Sequence, residues 1–200
     1  MQYETPPLRA ARLADTPEAT EILAAAFADD PVLNWALPDP GLMEHLFRAL
    51  ARSLYLQRGF GHIDGSAATL WAPPGVSSDP PTLAFLGFAA RVFAVGGLAA
   101  LNRMKRSADL LERLHPKTPH YYLFAVGVRP HLAGRGLGGR IIRAGLERAD
   151  AEGAPAYLEN SKPRNTPLYE RLGFIAGEEL RFAPDAPPVL LMTRPARREI

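Results

Sequence analysis

Four glycines lie within the six residues Gly134-Arg135-Gly136-Leu137-Gly138-Gly139, at the start of an amphipathic stretch that ends near Glu152. Glycine is a poor helix former, so we expect such a run where a ligand must approach the backbone closely. A helix N-terminus offers unpaired N–H groups and a partial positive charge, both of which attract phosphate. Arg135 adds a formal charge. The segment predicts a site for a phosphate-bearing ligand; the alternative is a turn that merely starts a helix.

The same residues match the G-x-G-x-x-G signature of dinucleotide-binding folds. Glu159 even lies about 20 residues beyond, where that fold places a ribose-binding acid. Two observations disfavour this interpretation. Five residues, including Pro130, separate the first glycine from the preceding strand, whereas in that fold the glycine follows the strand directly. Only 61 residues follow Gly139, too few for the rest of a doubly wound sheet.

Hydrophobic periodicity and turn residues predict both strands and helices along the chain. In the first part they predict a strand, a helix opened by Asp15-Thr16-Pro17-Glu18 that stops at Asp29-Asp30-Pro31, a second helix, and a hairpin closed by Gly65-Ser66. Apart from that first helix, the predicted ranges are Leu8 to Leu13, Gly41 to Leu56, Gly61 to Asp64 and Ala67 to Trp71. In the second part they are His120 to Val128, Gly134 to Glu152, Ala154 to Glu159, Asn165 to Leu172, Glu178 to Phe182 and Val189 to Thr193. The order β-α-β-α-β-β favours a mixed α/β sheet.

The segment Leu83 to Leu101 is 19 residues long and carries a single charge, Arg91. Its length alone would admit a membrane span. Arg91 near the middle, Gly96-Gly97 and the polar helix predicted over Asn102 to Leu114 favour a buried helix or one that covers a cleft. We therefore expect no membrane contact.

Composition narrows the possible classes of protein. With 200 residues, 47% of them hydrophobic and 22% charged, the chain is typical of one globular domain that needs no disulfide or metal. The absence of cysteine excludes a disulfide framework, a thiolate zinc site and a cysteine nucleophile, and we expect no metal. A net charge of +2 without a basic stripe predicts no nucleic-acid partner. The N-terminus shows no apolar leader, so we expect a cytoplasmic protein.

Three segments occur in a recognisable order: Val126-Gly127-Val128-Arg129-Pro130, then the glycine segment, then Asn165-x-x-Leu168-Tyr169-Glu170-Arg171-Leu172-Gly173-Phe174. Together they resemble the GNAT superfamily of acetyl-CoA-dependent N-acetyltransferases, most strongly over residues 119–174. The stretch Tyr157-Leu158-Glu159-Asn160-Ser161-x-Pro163-Arg164-Asn165 is most similar to the puromycin N-acetyltransferase type. The resemblance implies one domain over residues 1–200 with an α/β (α+β) fold. That fold is a mixed, mostly antiparallel twisted sheet with a splayed central strand pair, flanked by helices.

The resemblance also implies a role for particular residues. The strand ending at Val128 should part from the strand ending at Glu159, with the pantetheine arm of acetyl-CoA between them. The backbone of Val126, Gly127 and Val128 would bind that arm, and the Val126 amide would stabilise the oxyanion. Asn165 would contact the arm, and Tyr169 would lie close to the sulfur. The pyrophosphate would be bound by the amides of Gly134, Arg135, Gly136, Leu137, Gly138 and Gly139.

One position departs from the family pattern. The family usually has glutamine or arginine at the first position of its phosphate loop, where this chain has Ala133. Because backbone amides do most of the phosphate binding, we expect acetyl-CoA to bind. Its affinity would be lower unless Arg135 compensates.

Acetyl transfer needs a free-base amine and a proton for the leaving thiolate. Tyr169 suits the second role, because a phenol with a pKa of about 10 stays protonated at neutral pH; the alternative is that it only packs against the sheet. Which residue acts as the general base is undecided, because this chain has Tyr122 where some relatives have a glutamate. Period-two alternation predicts that His120, Tyr122, Phe124 and Val126 share one face, and that Tyr157 shares one with Glu159. Glu159 is the first candidate base and His120 the second.

The expected function is therefore direct attack of a small-molecule amine on the acetyl thioester. An alkylamine with a pKa of about 10.4 costs roughly 4–5 kcal/mol to deprotonate at pH 7, whereas an α-amine costs about 1 kcal/mol. We therefore expect a low-pKa amine, as in an aminonucleoside or another antibiotic. The alternative is a catalytically silent acyl-CoA-binding or regulatory module, consistent with Ala133 and Tyr122.

Some details stay open at this point. Asp29 and Asp30 could face a cationic substrate or simply form a turn, and Trp35 and Trp71 could line the acceptor pocket or fill the core. The chain could be a monomer or a homodimer.

Overall fold

A computed structural model of the chain describes residues 7–77 and 82–197. Its strands are β1 Arg9–Ala10, β2 Phe60–Ile63, β3 Ala67–Ala72, β4 Tyr121–Val128, β5 Ala156–Asn160, β6 Ile175–Arg181 and β7 Pro188–Arg194. They form one sheet in the order β1-β2-β3-β4-β5-β7-β6. The β4–β5 pair is parallel and its neighbours pair antiparallel. The predicted mixed, mostly antiparallel sheet is confirmed.

Helices cover both faces of this sheet. They are α1 Thr16–Ala26, α2 Pro31–Ala36, α3 Leu42–Leu50, α4 Thr82–Leu114, α5 Leu137–Ala151 and α6 Thr166–Arg171. One face packs under α1 and α3, with Leu70 and Tyr122 among its buried side chains. The other face packs under α5 and α6, with Trp71 and Leu123. Because neighbouring side chains on a strand point to opposite faces, β3 and β4 contribute to both cores.

Most predicted elements are present with shifted ends, and three differ in kind. The predicted first strand is reduced to Arg9–Ala10, because the next residues form a 3₁₀ turn in which the Arg12 N–H donates to the Asp15 carboxylate at 2.7 Å. The predicted second helix is α-helical only to Leu50 and continues as a π-helical segment, Ala51–Tyr55. Helix α2 was not predicted.

The apolar segment forms the first part of α4, which Gly97 interrupts with φ 62° and ψ −160°. Within the described ranges, residues 85–114 are long and apolar enough to cross a membrane by length and composition, and only 17% of the most apolar window is buried. Phe88 and Val92 pack on the core. The side chains that are exposed instead are Leu86, Phe93, Val95 and Leu98. Most of this segment is therefore not buried, and the other expectation, that it covers a cleft, stays a prediction.

Strand β4 contains one residue that β3 does not match. Ala125 pairs with Leu70 and Leu123 pairs with Trp71, so Phe124 is an extra residue. Such a bulge bends the strand and increases its twist. On the other side, β4 and β5 pair only at Tyr121 with Ala156 and at Tyr122 with Tyr157. The two strands therefore separate close to where the bulge begins.

The bulge also changes which way the side chains of β4 face. Tyr122 and Phe124 contact the core under α1 and α3, but Val126 contacts the core under α5. The predicted face shared by Tyr122 and Val126 is therefore wrong, because the extra residue shifts the alternation by one. Tyr157 packs in the same core as Tyr122, and the Tyr122 hydroxyl donates to Glu159. Tyr157 and Glu159 therefore share one face of β5, as the alternation predicts.

Candidate active site

The separation of β4 and β5 leaves backbone groups of β4 facing a gap. The Arg129 N–H donates to the Ser66 carbonyl at 2.8 Å, which identifies a hydrogen-bonded pair. Such pairs alternate along an antiparallel ladder, so Gly127 directs its groups toward β3. The N–H and C=O groups of Val126 and Val128 consequently point away from β3, into the gap. An extended ligand there would find hydrogen-bonding partners along the strand.

A cavity of about 810 Å³ occupies this gap. Its wall is built from β4, β5, the turn after α1, the loop before α5, and α6. The predicted site residues on the wall are Val126, Gly127, Val128, Gly134, Gly136, Leu137, Gly138, Gly139, Glu159, Asn165 and Tyr169. Arg135 is exposed and is not one of the described lining residues. The structure thus brings eleven of the twelve predicted residues to one cavity, while their roles stay predictions.

The first half of the glycine segment lies outside the helix, and only its second half, from Leu137 to Gly139, forms the first turn of α5. Gly134 and Gly136 have φ of 79° and 78°, a conformation that favours glycine, and α5 begins only at Leu137. No described side chain caps this end. The Arg140 N–H donates to the Gly136 carbonyl at 3.1 Å, so the preceding N–H groups of the first turn have no partner within the helix. These groups are available to an anion in the cavity.

Ala133 lies just before this segment, and its N–H is already used. It donates to the Pro130 carbonyl at 3.2 Å in a 3₁₀ turn. The amides available to a phosphate are therefore those that follow Ala133.

Tyr169 is buried on α6, with its ring 6.0 Å from that of Phe174. Burial, and after it the charge of Asp30, raises the pKa of the Tyr169 phenol well above its ordinary value. The phenol is therefore protonated throughout the neutral range. Asn165 ends the 3₁₀ turn ahead of α6, where its N–H donates to the Lys162 carbonyl at 2.8 Å.

Glu159 borders the cavity, and its side chain is 10% exposed. The Tyr122 hydroxyl donates to its Oε2 at 2.7 Å. Its Oε1 is buried and accepts no hydrogen bond from any described residue; His115 Nδ1 lies 3.7 Å away. The predicted first candidate base thus lies at the cavity with one oxygen fixed and the other oxygen without a donor.

His120, the second candidate, is not among the described residues that line this cavity. It borders a smaller cavity of about 340 Å³, together with His115 and Tyr122. Sequence reasoning missed His115. It follows directly after α4 and belongs to no motif, so the sequence offered no signal for it.

Asp29 and Asp30 border the large cavity but are engaged within the protein. Asp29 accepts from Lys162 Nζ and from Arg164, each at 2.5 Å. The Lys162 hydrogen bond, followed by that of Arg164, lowers the pKa of Asp29 to about 2. Asp30 caps α2 through the N–H groups of its first turn and accepts from the Ser161 hydroxyl. These contacts support the turn interpretation.

The two tryptophans do not border the cavity among its described lining residues. Trp71 is fully buried and stacks on Phe60 at 5.9 Å, so it fills the core under α5. Trp35 stacks on Phe182 at 6.2 Å and donates from Nε1 to Asp185 at 3.0 Å. Both positions favour packing over recognition of an acceptor.

Comparison with known proteins identifies the family of this site. A sequence model of the acetyltransferase (GNAT) family matches residues 75–174, half of the chain. The chain belongs to the GNAT acetyltransferase family. Its GNAT membership, fold class and acyltransferase activity, each expected from the sequence, are therefore confirmed. The finer likeness to the puromycin type stays a prediction.

Individual relatives agree with this assignment. The GNAT chain is 27% identical over 191 residues to an uncharacterized N-acetyltransferase of Schizosaccharomyces pombe, covering 86% of this chain and 75% of that protein. A Corynebacterium glutamicum crystal structure, named histone acetyltransferase HPA2 and related acetyltransferase, matches with a TM-score of 0.74 and 27% identity over 98% of this chain and 99% of that one. A polyamine N-acetyltransferase of Drosophila melanogaster matches with a TM-score of 0.58 and 18% identity over 94% and 100%. That last likeness shows the fold alone.

Proposed function

We propose that this acyltransferase transfers the acetyl group of acetyl-CoA to the amine of a small molecule by direct attack in a ternary complex. The observation that carries the proposal is the separation of β4 from β5 beyond Tyr122 and Tyr157. It creates a cavity with strand backbone along one wall and an uncapped helix N-terminus on another. An extended arm ending in a diphosphate is the ligand that uses both features.

Binding of the donor would fall mainly to backbone groups. The amides of the glycine segment, from Gly134 to Gly139, would bind the pyrophosphate, with Arg135 adding charge from the exposed side. Val126 and Val128 would pair with the pantetheine arm, and Asn165 would contact it from the opposite wall. The bound donor supplies the thioester on which the amine acts.

The reaction would use three groups on the wall. The Val126 N–H, which points into the gap, would stabilise the negative charge that develops on the thioester oxygen. Tyr169 would donate its proton to the leaving thiolate, because the buried phenol is protonated at neutral pH; its raised pKa also makes it a weaker acid, so the phenol must regain that proton from the attacking amine. Glu159 would accept the proton of the attacking amine, because it is the acid on the wall that has an oxygen without a hydrogen-bond donor among the described residues.

The charges on the wall favour an acceptor with a weakly basic amine. The described acids on it are Asp29, Asp30 and Glu159. The first two are engaged in the contacts given above, so a polyamine would find no set of free carboxylates. An amine of low pKa is also cheaper to deprotonate, by about 3–4 kcal/mol at pH 7 relative to an alkylamine. An aminonucleoside or another antibiotic with an α-amine fits both conditions.

A panel of amines tests the proposal. Release of free thiol from acetyl-CoA is followed at pH 7 with aminonucleosides, α-amino amides and polyamines, and we expect the highest rates with the α-amines. A maximal rate on polyamines with none on α-amines would contradict the proposed acceptor class. Binding of acetyl-CoA, seen as a thermal shift that NADH does not give, without thiol release for any amine would overturn acetyl transfer itself.

The remaining expectations stay predictions. They are a cytoplasmic location, the absence of nucleic-acid and membrane partners, and a monomeric or homodimeric state.

A further inference from the structure

Three titratable side chains form a line that leads from the large cavity to the smaller one. Glu159 borders the large cavity, and His115 and His120 border the smaller cavity of about 340 Å³. His115 Nδ1 lies 3.7 Å from Glu159 Oε1, and His115 Nε2 lies 2.9 Å from His120 Nε2. His120 Nδ1 in turn lies 2.7 Å from the Thr118 carbonyl. The two histidines and the carbonyl are thus joined at hydrogen-bond distance, and the contact between His115 and Glu159 is the longest step of the line.

The Thr118 carbonyl fixes where the protons of this line sit. A carbonyl only accepts, so His120 Nδ1 must carry hydrogen. Neutral His120 then has an acceptor at Nε2, and His115 Nε2 must be the donor between the two rings. If His115 is also neutral, its Nδ1 is a bare acceptor that faces Glu159 Oε1.

With both rings neutral, His115 Nδ1 and Glu159 Oε1 are two acceptors that face each other, so a proton received by Glu159 has His115 Nδ1 as its partner. The 3.7 Å separation exceeds a hydrogen bond by about half an ångström, which a small rotation of either side chain closes. After such a rotation, a proton on Glu159 Oε1 can pass to His115 Nδ1.

Aromatic rings hold the line in place. The Tyr122 ring meets the His115 ring at 4.8 Å and 89°, and the Tyr157 ring meets it at 4.9 Å and 75°. Tyr122 donates to Oε2 of the carboxylate, and His115 and the buried Tyr157 phenol, whose pKa burial and then the charge of Glu159 raise, also lie near this carboxylate. Burial, as the largest cause, lowers the pKa of His120, which favours the neutral form of this ring.

We propose that His115 and His120 relay the proton that Glu159 takes from the acceptor amine to solvent in the smaller cavity. The inference rests on the proposed function. In that reaction the ammonium form of the acceptor loses two protons as its N–C bond forms and the C–S bond breaks. One reaches the thiolate sulfur through Tyr169. The other passes from Glu159 to His115 Nδ1, while His115 gives its Nε2 proton to His120 Nε2 and His120 gives up its Nδ1 proton, released from the Thr118 carbonyl, to water of the smaller cavity. Neither histidine touches the substrate, so both act through Glu159.

Other groups face the relay and belong to its pH dependence. Tyr122 and Tyr157 face it from the strands, and burial raises the pKa of both phenols, so they stay neutral across the range of the relay. Glu112 at the end of α4 and Lys117 in the following loop border the smaller cavity. Lys117 Nζ donates to the Glu112 carbonyl at 3.1 Å. Tyr55 also raises the pKa of Tyr122, after burial and the charge of Glu159.

His115→Gln is the sharpest test. The glutamine amide can keep a donor toward His120 but has no group that exchanges protons with Glu159. We expect kcat at pH 7 to fall about 10- to 100-fold, at most the lower limit of the range for a lost acid–base group, because His115 acts through Glu159. KM for acetyl-CoA should stay within about twofold, because the donor site is not touched. Wild-type kcat together with a wild-type pH profile of kcat would overturn the relay.

Chemical rescue separates a relay from a structural role. Added imidazole should restore part of the kcat of His115→Ala, and substituted imidazoles should restore more as their pKa approaches 7. A folded His115→Ala protein that binds acetyl-CoA, has lost kcat and is not rescued by any imidazole would overturn the relay. A structural histidine would give that result.

His62→Gln is the matched control. His62 is a partly buried histidine on β2, its Nδ1 has no hydrogen-bond partner among the described residues, and it borders neither cavity. We expect wild-type kcat and no response to imidazole. If the wild-type protein itself releases no thiol with any amine, the proposed function fails and the relay with it; if only the His115 results fail, the proposed function stands.

Discussion

The Tyr122 hydroxyl donates a 2.7 Å hydrogen bond to Oε2 of Glu159, next to the last residue pair that β4 and β5 share. The bond fixes the carboxylate at the point where the strands part. Burial, followed by the charge of Glu159, raises the pKa of the Tyr122 phenol well above its ordinary value, so the group always donates. In this chain a tyrosine on β4 therefore orients an acid that is supplied by β5.

Tyr122→Phe should lower both stability and turnover. The substitution removes a buried hydrogen bond to a carboxylate, which is worth about 1.5–3 kcal/mol. The free energy of unfolding in urea should fall by that amount. We expect kcat to drop about 10-fold because Glu159 loses its fixed orientation. An unchanged kcat in a destabilised protein would show that the orientation of Glu159 does not matter for transfer.

Tyr169→Phe should lower turnover much more than donor affinity. The phenol is the proposed proton donor to the thiolate, and loss of such a group costs about 10²- to 10⁴-fold in kcat. The Kd of acetyl-CoA, measured by calorimetry, should change little, because the ring remains in place. Equal losses in kcat and affinity would mean that Tyr169 is a binding or packing residue.

Gly138→Ala should raise stability and lower donor affinity. A Cβ at Gly138 would lie 3.7 Å from Leu168 and from Val128, an ordinary contact. Alanine in the first turn of α5 should stabilise the fold by up to about 1 kcal/mol. The added methyl group would narrow the approach to the N–H groups, so we expect the Kd of acetyl-CoA to rise about 10-fold, or about 1.4 kcal/mol.

Gly136→Ala is the companion variant. Gly136 has a φ of 78°, a conformation that is strained for a residue with a side chain. The melting temperature of Gly136→Ala should therefore fall, whereas that of Gly138→Ala should rise. Donor affinity that is unchanged in both variants would argue against phosphate binding at this segment.

Asp29→Asn should reduce the sensitivity of the fold to acid. The pKa of Asp29 is about 2 in the folded protein against an ordinary value of 3.8, so its ion pairs stabilise the fold above pH 4 and are lost as the pH falls toward 2. The wild-type protein should therefore lose more stability between pH 4 and pH 2 than the variant. Since Asp29 is largely exposed, the cost of the substitution at pH 7 is at most about 1 kcal/mol. Urea midpoints at pH 7, 4 and 2 measure both effects, and parallel acid curves would contradict the ion-pair account.

The sequence predicted the sheet and the glycine segment because their signals are local. Alternation, turn residues and the spacing of glycines each depend on a few neighbouring positions. Helix α2 could have been found in the same way, since Asp30 followed by Pro31 is a helix start as well as a helix stop.

The bulge and the relay depend on contacts that no local pattern records. Nothing in the residue type of Phe124 marks it as the extra residue, because the bulge arises from its pairing with β3. His115 meets Glu159 only because the chain crosses from α4 through β4 to β5. The base stayed ambiguous in the sequence for the same reason: the contact that distinguishes Glu159 from His120 is tertiary.

The extra residue at Phe124 has a consequence for how this strand can vary. Before Phe124, the side chain of Tyr122 on β4 contacts Glu159. After Phe124, it is chiefly the main chain of β4 that faces the proposed acetyl-CoA site. Main-chain groups are the same whatever residue carries them. Substitutions in the first half of β4 can therefore change how Glu159 accepts a proton, and with it the range of amines accepted. Binding of the donor by the main chain of the second half would stay the same.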